Sequence, residues 1–147
     1  MSNELVIKIK YQDDSVARVQ RNPNGDFIDL RCAETIEMKA GEFMELPLGV
    51  AMELPDGYEA WLVSRSSLTK RFGVLHCDDM GIIDSSYKGD NDWWYFPVVA
   101  LRDTVIHKND RICQFRIHRN MPASLKIQEV KKLGNPDRGG LGSTGVE

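Results

Sequence analysis

A short polar segment, Ser64-Arg65-Ser66-Ser67, contains residue types that bind phosphate oxygens. The guanidinium of arginine is a planar fork that pairs with two phosphate oxygens, and hydroxyls and the free amides of a helix start add further donors. Taken alone, an arginine flanked by serines is more often part of a solvated loop. The segment therefore predicts a phosphate contact only if other segments support it.

A second segment, Gly81 to Gly89, combines an acid with an aromatic residue at the end of an apolar run. Asp84 directly follows Ile82 and Ile83, so the end of a strand would hold its carboxylate rigidly. Tyr87, three residues further on, could pack against a flat or sugar-like face of a ligand. By itself, the segment is explained more simply as a β-turn capped by an aspartate.

Two further segments offer polar groups whose meaning depends on a ligand. Gln114 follows Ile112 in an alternating strand, so the pattern predicts that both side chains share an inward face, where an amide needs a partner. Residues 138–145 are rich in glycine and include Ser143 and Thr144, a composition that brings amides and hydroxyls against phosphates. The Gly-Lys-Ser/Thr of a P-loop is absent, and a disordered tail explains this segment equally well.

The composition excludes several classes of protein. The 147 residues fit one domain, and 41% hydrophobic with 28% charged residues is ordinary for a globular chain. A net charge of −3 argues against nucleic acid as a partner, because that binding requires clustered Lys and Arg. The three cysteines form no CxxC pair, which predicts free thiols in a reducing cytoplasm. No stretch approaches the ~20 apolar residues of a membrane span, so we expect no membrane partner.

Apolar residues recur with a period of two, which predicts strands. Such runs occupy residues 5–10, 43–46, 49–54, 58–63, 93–101, 111–117 and 125–130. Pro55-Asp56-Gly57 predicts the turn of a hairpin. One short helix is predicted over Ser66 to Phe72, with Ser66 and Ser67 as caps. The pattern predicts an all-β sandwich or barrel over residues 1–133 and a flexible, glycine-rich arm over residues 134–147.

In order and spacing, these segments resemble the motifs of the trimeric deoxyuridine triphosphatase (dUTPase) family, and Ile28-Asp29-Leu30-Arg31-Cys32-Ala33 is similar to the first of them. The resemblance is most specific in Gly81 to Gly89 and in Gly142-Ser143-Thr144-Gly145. It implies a jelly-roll-like β barrel, a homotrimer with sites shared between subunits, and a C-terminal arm that closes over the nucleotide. The implied activity is Mg²⁺-dependent hydrolysis of dUTP to dUMP and pyrophosphate.

The resemblance also assigns roles to individual residues. Asp84 matches the general base that activates a water for attack on the α-phosphorus, and Tyr87 matches a ring that packs under the deoxyribose. Asp29 would contact the Mg²⁺ shell through water only. The other matched residues are expected to contact the nucleotide: Arg65, Ser66, Ser67 and Gln114 at the phosphates, Arg138, Ser143 and Thr144 at the terminal phosphate, and Asp78, Gly81 and Ile83, in a β-hairpin around Cys77 to Ile83, at the uracil.

Several positions depart from the family pattern. Ser64 replaces the usual proline, and Asn109 replaces the usual glycine at a turn that needs positive φ; we expect both to be tolerated. Leu141 stands where many members have an aromatic ring that stacks on the uracil. We hypothesise that Trp93 or Tyr95, which would share one face of a regular strand, supplies this lid. Contacts in the core or the trimer explain these aromatics equally well.

Alternatives to dUTP hydrolysis stay open. Asp78 stands where several relatives have an asparagine, and a carboxylate, which only accepts, would suit the amino group of cytosine. The related dCTP deaminase is the nearest rival, but it lacks a comparable arm, and residues 93–101 hold no convincing deaminating glutamate. A nucleotide-binding or regulatory member that acts through protein contacts is the second alternative. The retention of Asp84, Tyr87 and the arm argues against a loss of activity.

Overall fold

The computed structural model describes residues 4–142 and Gly145, and within them the regular elements are almost entirely strands. They are, in chain order, β1 (Lys8–Tyr11), β2 (Ile28–Arg31), β3 (Ile36–Met38), β4 (Phe43–Pro47), β5 (Val50–Glu53), β6 (Tyr58–Ser64), α1 (Leu68–Phe72), β7 (Val74–His76), β8 (Gly81–Ile83), β9 (Tyr95–Ala100), β10 (Thr104–Ile106) and β11 (Arg111–Arg119). The predicted all-β class is confirmed. In this part of the chain, no helix is long and apolar enough to cross a membrane.

The strands of the described residues pair antiparallel in four sheets. The largest has the order β2-β11-β6-β8, a second has the order β4-β9-β7, and two pairs are β1-β5 and β10-β3. The central strand β11 runs beside β6 over seven consecutive residue pairs, from Cys113 opposite Ser64 to Arg119 opposite Tyr58. This long ladder fixes where the loops at both ends of β6 lie.

The hydrophobic core lies between the sheets and follows from the alternation along the strands. In β9, Phe96, Val98 and Ala100 are buried while the residues between them are more exposed. Trp94, just before β9, is fully buried, and its ring meets Phe115 edge-on at 5.3 Å between centroids. Such edge-to-face pairs add stabilisation beyond the apolar area that they bury.

The predicted hairpin around Pro55-Asp56-Gly57 is wrong, although the turn itself forms. The Tyr58 amide donates to the Pro55 carbonyl at 3.1 Å, and Gly57 has φ +82°. However, β5 pairs with β1, whereas β6 pairs with β11 and β8. The turn therefore carries the chain from one sheet to another, which local turn chemistry cannot distinguish from a hairpin.

The strand predicted at residues 125–130 is also absent. Residues 121–142 are exposed throughout, and Leu125 donates to the Pro122 carbonyl in a turn instead. Leu125, Ile127 and Val130 are separated by polar residues, but no strand of the described residues lies beside them. An alternating pattern forms a strand only where a partner supplies the ladder of hydrogen bonds.

Helix α1 begins two residues later than predicted. Ser67 occupies the N-cap position, but its side chain makes no capping hydrogen bond, so the predicted serine cap is wrong. Leu68 and Phe72, one turn apart, are both buried, and this packing holds the helix. Gly73 ends it with φ +67°, in a position where an added Cβ would lie 2.8 Å from the Arg102 side chain.

The asparagine at position 109 does more than replace a glycine. Its φ is +70°, as the turn requires, which confirms the expectation from sequence. Its side-chain oxygen accepts the Ala17 amide at 3.0 Å, and its side-chain nitrogen donates to the Ser15 carbonyl at 3.1 Å. The turn before β11 is therefore tied to the loop after β1, a link that glycine could not make.

We expect replacement of Trp94 by alanine to lower the free energy of unfolding by about 3–5 kcal/mol, because it opens a large cavity beside Phe115. Trp94→Phe should cost clearly less: it keeps a ring there and removes an indole N–H that has no hydrogen-bond partner among the described residues. Urea denaturation at matched protein concentration measures both. Equal losses for the two variants would contradict this account of the core.

Candidate active site

Three strands bring together four residues that we call the arginine–aspartate cluster: Asp29, Arg65, Arg111 and Gln114. Asp29 of β2 lies opposite Gln114 of β11, and Arg65 directly follows β6. Asp29 Oδ1 lies 3.2 Å from Arg65 Nε, and Asp29 Oδ2 lies 3.5 Å from Arg111 Nη1. One carboxylate therefore holds two guanidinium groups side by side.

Gln114 joins this cluster from the non-core face of β11. The prediction that it shares a buried face with Ile112 is wrong: a register irregularity between Arg111 and Cys113 leaves Ile112 and Cys113 both buried. From Cys113 onward alternation resumes, so Gln114 is only half-buried, and its Nε2 donates to the Ser64 carbonyl at 3.2 Å. This bond uses one of the two N–H groups of the amide and orients the side chain.

Arg111 was not recognised from sequence as a site residue. It stands at the start of β11, where a charged residue is unremarkable. Its carbonyl accepts Arg65 Nη1 at 3.2 Å, while its own guanidinium contacts Asp29. Only the pairing of β11 with β2 and β6 shows that Arg111 lies beside Arg65. The one sequence feature that could have indicated a role for Arg111 is its position three residues before Gln114.

A basic groove of about 240 Å³ opens beside this cluster. Its walls include Arg18 and Arg21 from the loop before β2 and Arg31 and Arg111 from the strands, against the single carboxylate of Asp29. Charges of one sign that line a concave wall attract anions. The electrostatics of the groove suit a phosphorylated ligand.

The sequence-predicted Asp84 segment lies at the other end of the large sheet. Asp84 directly follows β8 and is exposed. Its Oδ2 accepts two hydrogen bonds from Ser86, one from the backbone amide at 2.9 Å and one from the hydroxyl. Both bonds lower the pKa of the Asp84 carboxyl below its ordinary value, and the bond from the hydroxyl has the larger effect. The side chain is therefore a carboxylate at neutral pH.

Tyr87 is fixed by its hydroxyl. The phenol donates to the Trp93 carbonyl at 2.7 Å and closes the loop between these two residues, while Tyr87 stays 38% exposed. Partial burial raises the pKa of this phenol, so it remains a protonated donor. Lys10 supports the same loop, with its Nζ 2.9 Å from the Asp90 carbonyl and 5.2 Å from the Trp93 ring centroid.

Trp93 and Tyr95 both remain accessible. The strand predicted from Trp93 begins only at Tyr95, so Trp93 lies outside β9. The two residues nevertheless alternate with the buried Trp94 and Phe96; Trp93 is half-buried and Tyr95 is 44% exposed. Neither ring is a core residue of this chain.

The β-hairpin expected around Cys77 to Ile83 does not form, because β7 pairs with β9 and β8 pairs with β6. Cys77 to Met80 is instead a turn between two sheets, with Asp78 exposed and Asp79 at φ +60°. His76 stacks on Phe96, with 4.2 Å between ring centroids, and its Nδ1 lies 3.2 Å from the Asp79 carbonyl oxygen. Gly81 and Ile83 lie in β8, just after this turn.

The Asp84 segment and the arginine–aspartate cluster do not meet within one chain. Because Ala60 pairs with Ile83 in antiparallel register, Asp84 lies near the start of β6, whereas Arg65 follows its end. Asp84 is therefore level with Glu59, six residues before Arg65, and six residues of strand rise roughly 20 Å. Asp29 is, in addition, three strands away from β8 across the sheet.

The remaining predicted residues lie in two places. Ser66, which is exposed, and Ser67 lie between Arg65 and α1. Arg138 belongs to the exposed segment after β11, whereas Ser143 and Thr144 lie outside the described residues. The contacts predicted for the glycine-rich arm therefore stay predictions.

A metal could be held here only with the help of other ligands. The described residues contain no group of three or more His, Cys, Asp or Glu side chains that could enclose a metal ion. Both oxygens of Asp29 already face guanidinium groups, so this carboxylate suits a contact through water better than direct coordination. That arrangement fits Mg²⁺, which retains waters and binds chiefly to phosphate oxygens.

Comparison with known proteins places these features in a family. The family described as dUTPase matches residues 17–145. The chain is 60% identical over 143 residues to the SPbeta prophage-derived deoxyuridine 5'-triphosphate nucleotidohydrolase YosS of Bacillus subtilis (strain 168), a match that covers 97% of this chain and all of that protein.

Solved structures share the fold at low sequence identity. Staphylococcus bacteriophage 80alpha dUTPase, solved as a variant with dUpNHpp, has a TM-score of 0.77 at 20% identity, covering 99% of this chain and 100% of that one. A variant of the dUTPase from phage phi11 of S. aureus, in which a structural Mg(II) ion is coordinated, has a TM-score of 0.75 at 16% identity, covering 87% and 98%. The predicted dUTPase-type jelly roll is confirmed.

We expect Asp29→Asn to destabilise the chain by about 1 kcal/mol, because it leaves two neighbouring guanidinium groups without a counter-charge. The matched control is Asp26→Asn, which removes a more exposed carboxylate paired with Arg116 at 2.8 Å. That change should cost less than about 0.5 kcal/mol. Chemical denaturation measures the loss of unfolding free energy in both variants. An equal loss would show that the arginine–aspartate cluster stabilises the chain no more than a surface ion pair does.

Proposed function

Because this chain belongs to the dUTPase family, we propose that it is a dUTP diphosphatase, which hydrolyses dUTP to dUMP and pyrophosphate. The family match spans residues 17–145, and the 60% identity to YosS extends over the whole of that relative. The observation that carries the mechanism is Asp84, an exposed, ionised carboxylate fixed at the end of β8. A carboxylate of this kind can accept a proton from an attacking water.

In the proposed reaction, Asp84 takes a proton from a water molecule. The water oxygen forms a bond to the α-phosphorus, and the bond from that phosphorus to the oxygen bridging to the β-phosphorus breaks. Pyrophosphate leaves with that electron pair, and Asp84 returns its proton to solvent. The lowered pKa keeps Asp84 fully ionised in its resting state, as a general base must be.

The arginine–aspartate cluster is proposed to hold the phosphates. A triphosphate carries about four negative charges, and its cleavage is accelerated mainly by positioning and by charge neutralisation. The proposed donors to the phosphates are Arg65, Ser66, Ser67 and Gln114. Asp29 holds the guanidinium of Arg65 in place. Bound Mg²⁺ would neutralise charge on the phosphate oxygens, with Asp29 reaching its water shell.

The base and sugar are proposed to lie at the Asp78–Tyr87 end. Tyr87 presents a ring held by the Trp93 carbonyl, which would leave no room for a 2′-hydroxyl. Asp78, Gly81 and Ile83 border the turn where the uracil would lie. The exposed carboxylate of Asp78 accepts but does not donate, so it favours an amino group and keeps dCTP as the alternative substrate.

We further propose a homotrimer with active sites shared between subunits. Asp84 lies beside one end of β6 and Arg65 follows the other, roughly 20 Å apart along the strand, yet one triphosphate must reach both groups. A second subunit placing its cluster beside Asp84 would complete the site. Residues 134–147, with Arg138, Ser143 and Thr144, would then close over the terminal phosphate as an arm.

The cellular location that we propose is the cytoplasm. All three cysteines, Cys32, Cys77 and Cys113, are free thiols, and Cys113 is completely buried. Burial raises the pKa of the Cys113 thiol well above its ordinary value, which keeps it protonated and unreactive. Free thiols are usual in a reducing compartment.

Asp84→Asn should reduce pyrophosphate release from dUTP by about 10²–10⁴-fold, the usual contribution of a general base. The wild-type protein with Mg²⁺ is assayed in parallel on dUTP, dCTP, dTTP and UTP, and only dUTP should turn over quickly. Asp13→Asn is the matched control, since Asp13 accepts the same pair of hydrogen bonds from Ser15 elsewhere on the surface. An Asp84→Asn protein with undiminished turnover would refute the mechanism.

Of the two candidate lids, one should raise the KM for dUTP when replaced by alanine. Stacking of a base on an aromatic ring contributes about 1–3 kcal/mol, so Trp93→Ala or Tyr95→Ala should raise KM by roughly 5- to 150-fold. Phe43→Ala is the control, because Phe43 is another exposed aromatic, 59% accessible and on a different strand. Unchanged KM values for both candidates would end the lid hypothesis.

Mixed trimers test whether the sites are shared. Asp84→Asn and Arg65→Ala should each be nearly inactive alone. When equal amounts are unfolded and refolded together, a shared site receives an intact Asp84 from one variant and an intact Arg65 from the other in about a quarter of cases. Recovery of about a quarter of wild-type activity is expected. If both residues acted within one subunit, mixing would restore nothing.

A further inference from the structure

We propose that Ser86 is a positioning residue for catalysis, which holds Oδ2 of Asp84 so that Oδ1 is the oxygen that accepts the proton of the attacking water. This inference rests on the proposed function of Asp84. It concerns a residue to which neither the sequence motifs nor the comparisons gave a role.

The geometry of the carboxylate carries the proposal. Ser86 donates twice to the same oxygen, from its amide at 2.9 Å and from its hydroxyl. Two donors on one oxygen fix the rotation of the carboxylate plane about the Cβ–Cγ bond. Within the described part of the chain, no side chain donates to Oδ1, so that oxygen keeps its lone pairs for water.

The electrostatics agree with this division of roles. The Ser86 hydroxyl is the largest cause of the lowered pKa of Asp84, the Ser86 amide is the second, and slight burial opposes both. No charged neighbour contributes to the shift. Ser86 therefore stabilises the ionised form with neutral donors, which add no charge that would attract or repel the phosphates.

The backbone around the pair limits how far the carboxylate can move. Asp84 follows directly on β8, whose Gly81 to Ile83 pair with β6. On its other side, the Tyr87 amide donates to the Asp84 carbonyl at 3.0 Å. Ser86 lies inside this closed turn, so the carboxylate, the hydroxyl and the Tyr87 ring form one unit that is oriented by the sheet.

The same chain contains an internal control for this arrangement. Ser15 donates to Asp13 from its amide at 2.8 Å and from its hydroxyl, and these two bonds are the largest causes of the lowered pKa of Asp13, to which Lys108 and Gln12 add. The spacing Asp-x-Ser therefore makes this pair wherever the turn permits. Asp13 lies in the loop after β1 and has no role in the proposed chemistry, so replacing its serine removes the same pair of groups without touching the proposed site.

The experiment compares Ser86→Ala with Ser86→Thr and with the control Ser15→Ala. In Ser86→Ala, kcat should fall by about 10-fold or more, as expected for one hydrogen bond to a charged group, while KM changes by less than about twofold. Ser86→Thr, which keeps the hydroxyl, should recover most of the loss. Ser15→Ala should leave kcat and KM unchanged.

A direct titration separates positioning from a merely structural role. The carboxyl ¹³C signal of Asp84, identified by its absence in Asp84→Asn, is followed with pH in the nucleotide-free protein. In Ser86→Ala the midpoint should move to higher pH, because the largest cause of the lowered pKa is gone. If Ser86→Ala does not fold, Ser86→Cys, a much weaker donor, replaces it in both measurements.

The proposed mechanism and the proposed role of Ser86 are contradicted by different results. Undiminished activity of Asp84→Asn would remove the proposed mechanism itself. An inactive Asp84→Asn together with a Ser86→Ala protein of wild-type kcat and unchanged Asp84 titration would overturn only the role of Ser86. A fall in thermal stability alone, with both of these readouts unmoved, would show that the serine only builds the turn.

Discussion

The antiparallel pairing of β6 with β8 on one side and with β11 on the other is the interaction on which the site depends. The register Ala60–Ile83 places Asp84 at one end of β6, and the register Cys113–Ser64 places Arg65 and Gln114 at the other. Hydrogen-bonded ladders do not slip, since a shift by one residue would turn buried side chains outward. The distance between Asp84 and the arginine–aspartate cluster is therefore built into the sheet.

This separation gives a physical reason for self-association. We propose that Asp84 at one end and the arginine–aspartate cluster at the other are two half-sites, each completed by a neighbouring copy of the chain. The exposed segment after β11, with Leu125, Ile127 and Val130 in the open, has apolar side chains that this chain alone does not cover. Catalysis and assembly would then be coupled, because neither half-site works by itself.

Both half-sites use short polar residues to orient charged ones. Asp29 holds Arg65 and Arg111 side by side, which offsets their mutual repulsion, and Ser86 fixes one oxygen of Asp84. In each case, the supporting group is neutral or of opposite sign to the group that it holds. Pre-oriented charges need little reorganisation when a ligand binds, and this is where electrostatic catalysis gains most.

The sequence by itself determined the strand class, the positive-φ turn at Asn109 and the candidate residues, because alternation, turn chemistry and motif spacing are local properties of a chain. Only the tertiary structure decided which strands pair. It placed β5 and β6 in different sheets and Arg111 beside Asp29. It also left residues 125–130 without a neighbouring strand among the described residues. Such contacts join residues far apart in sequence, and their energy depends on neighbours that local pattern does not specify.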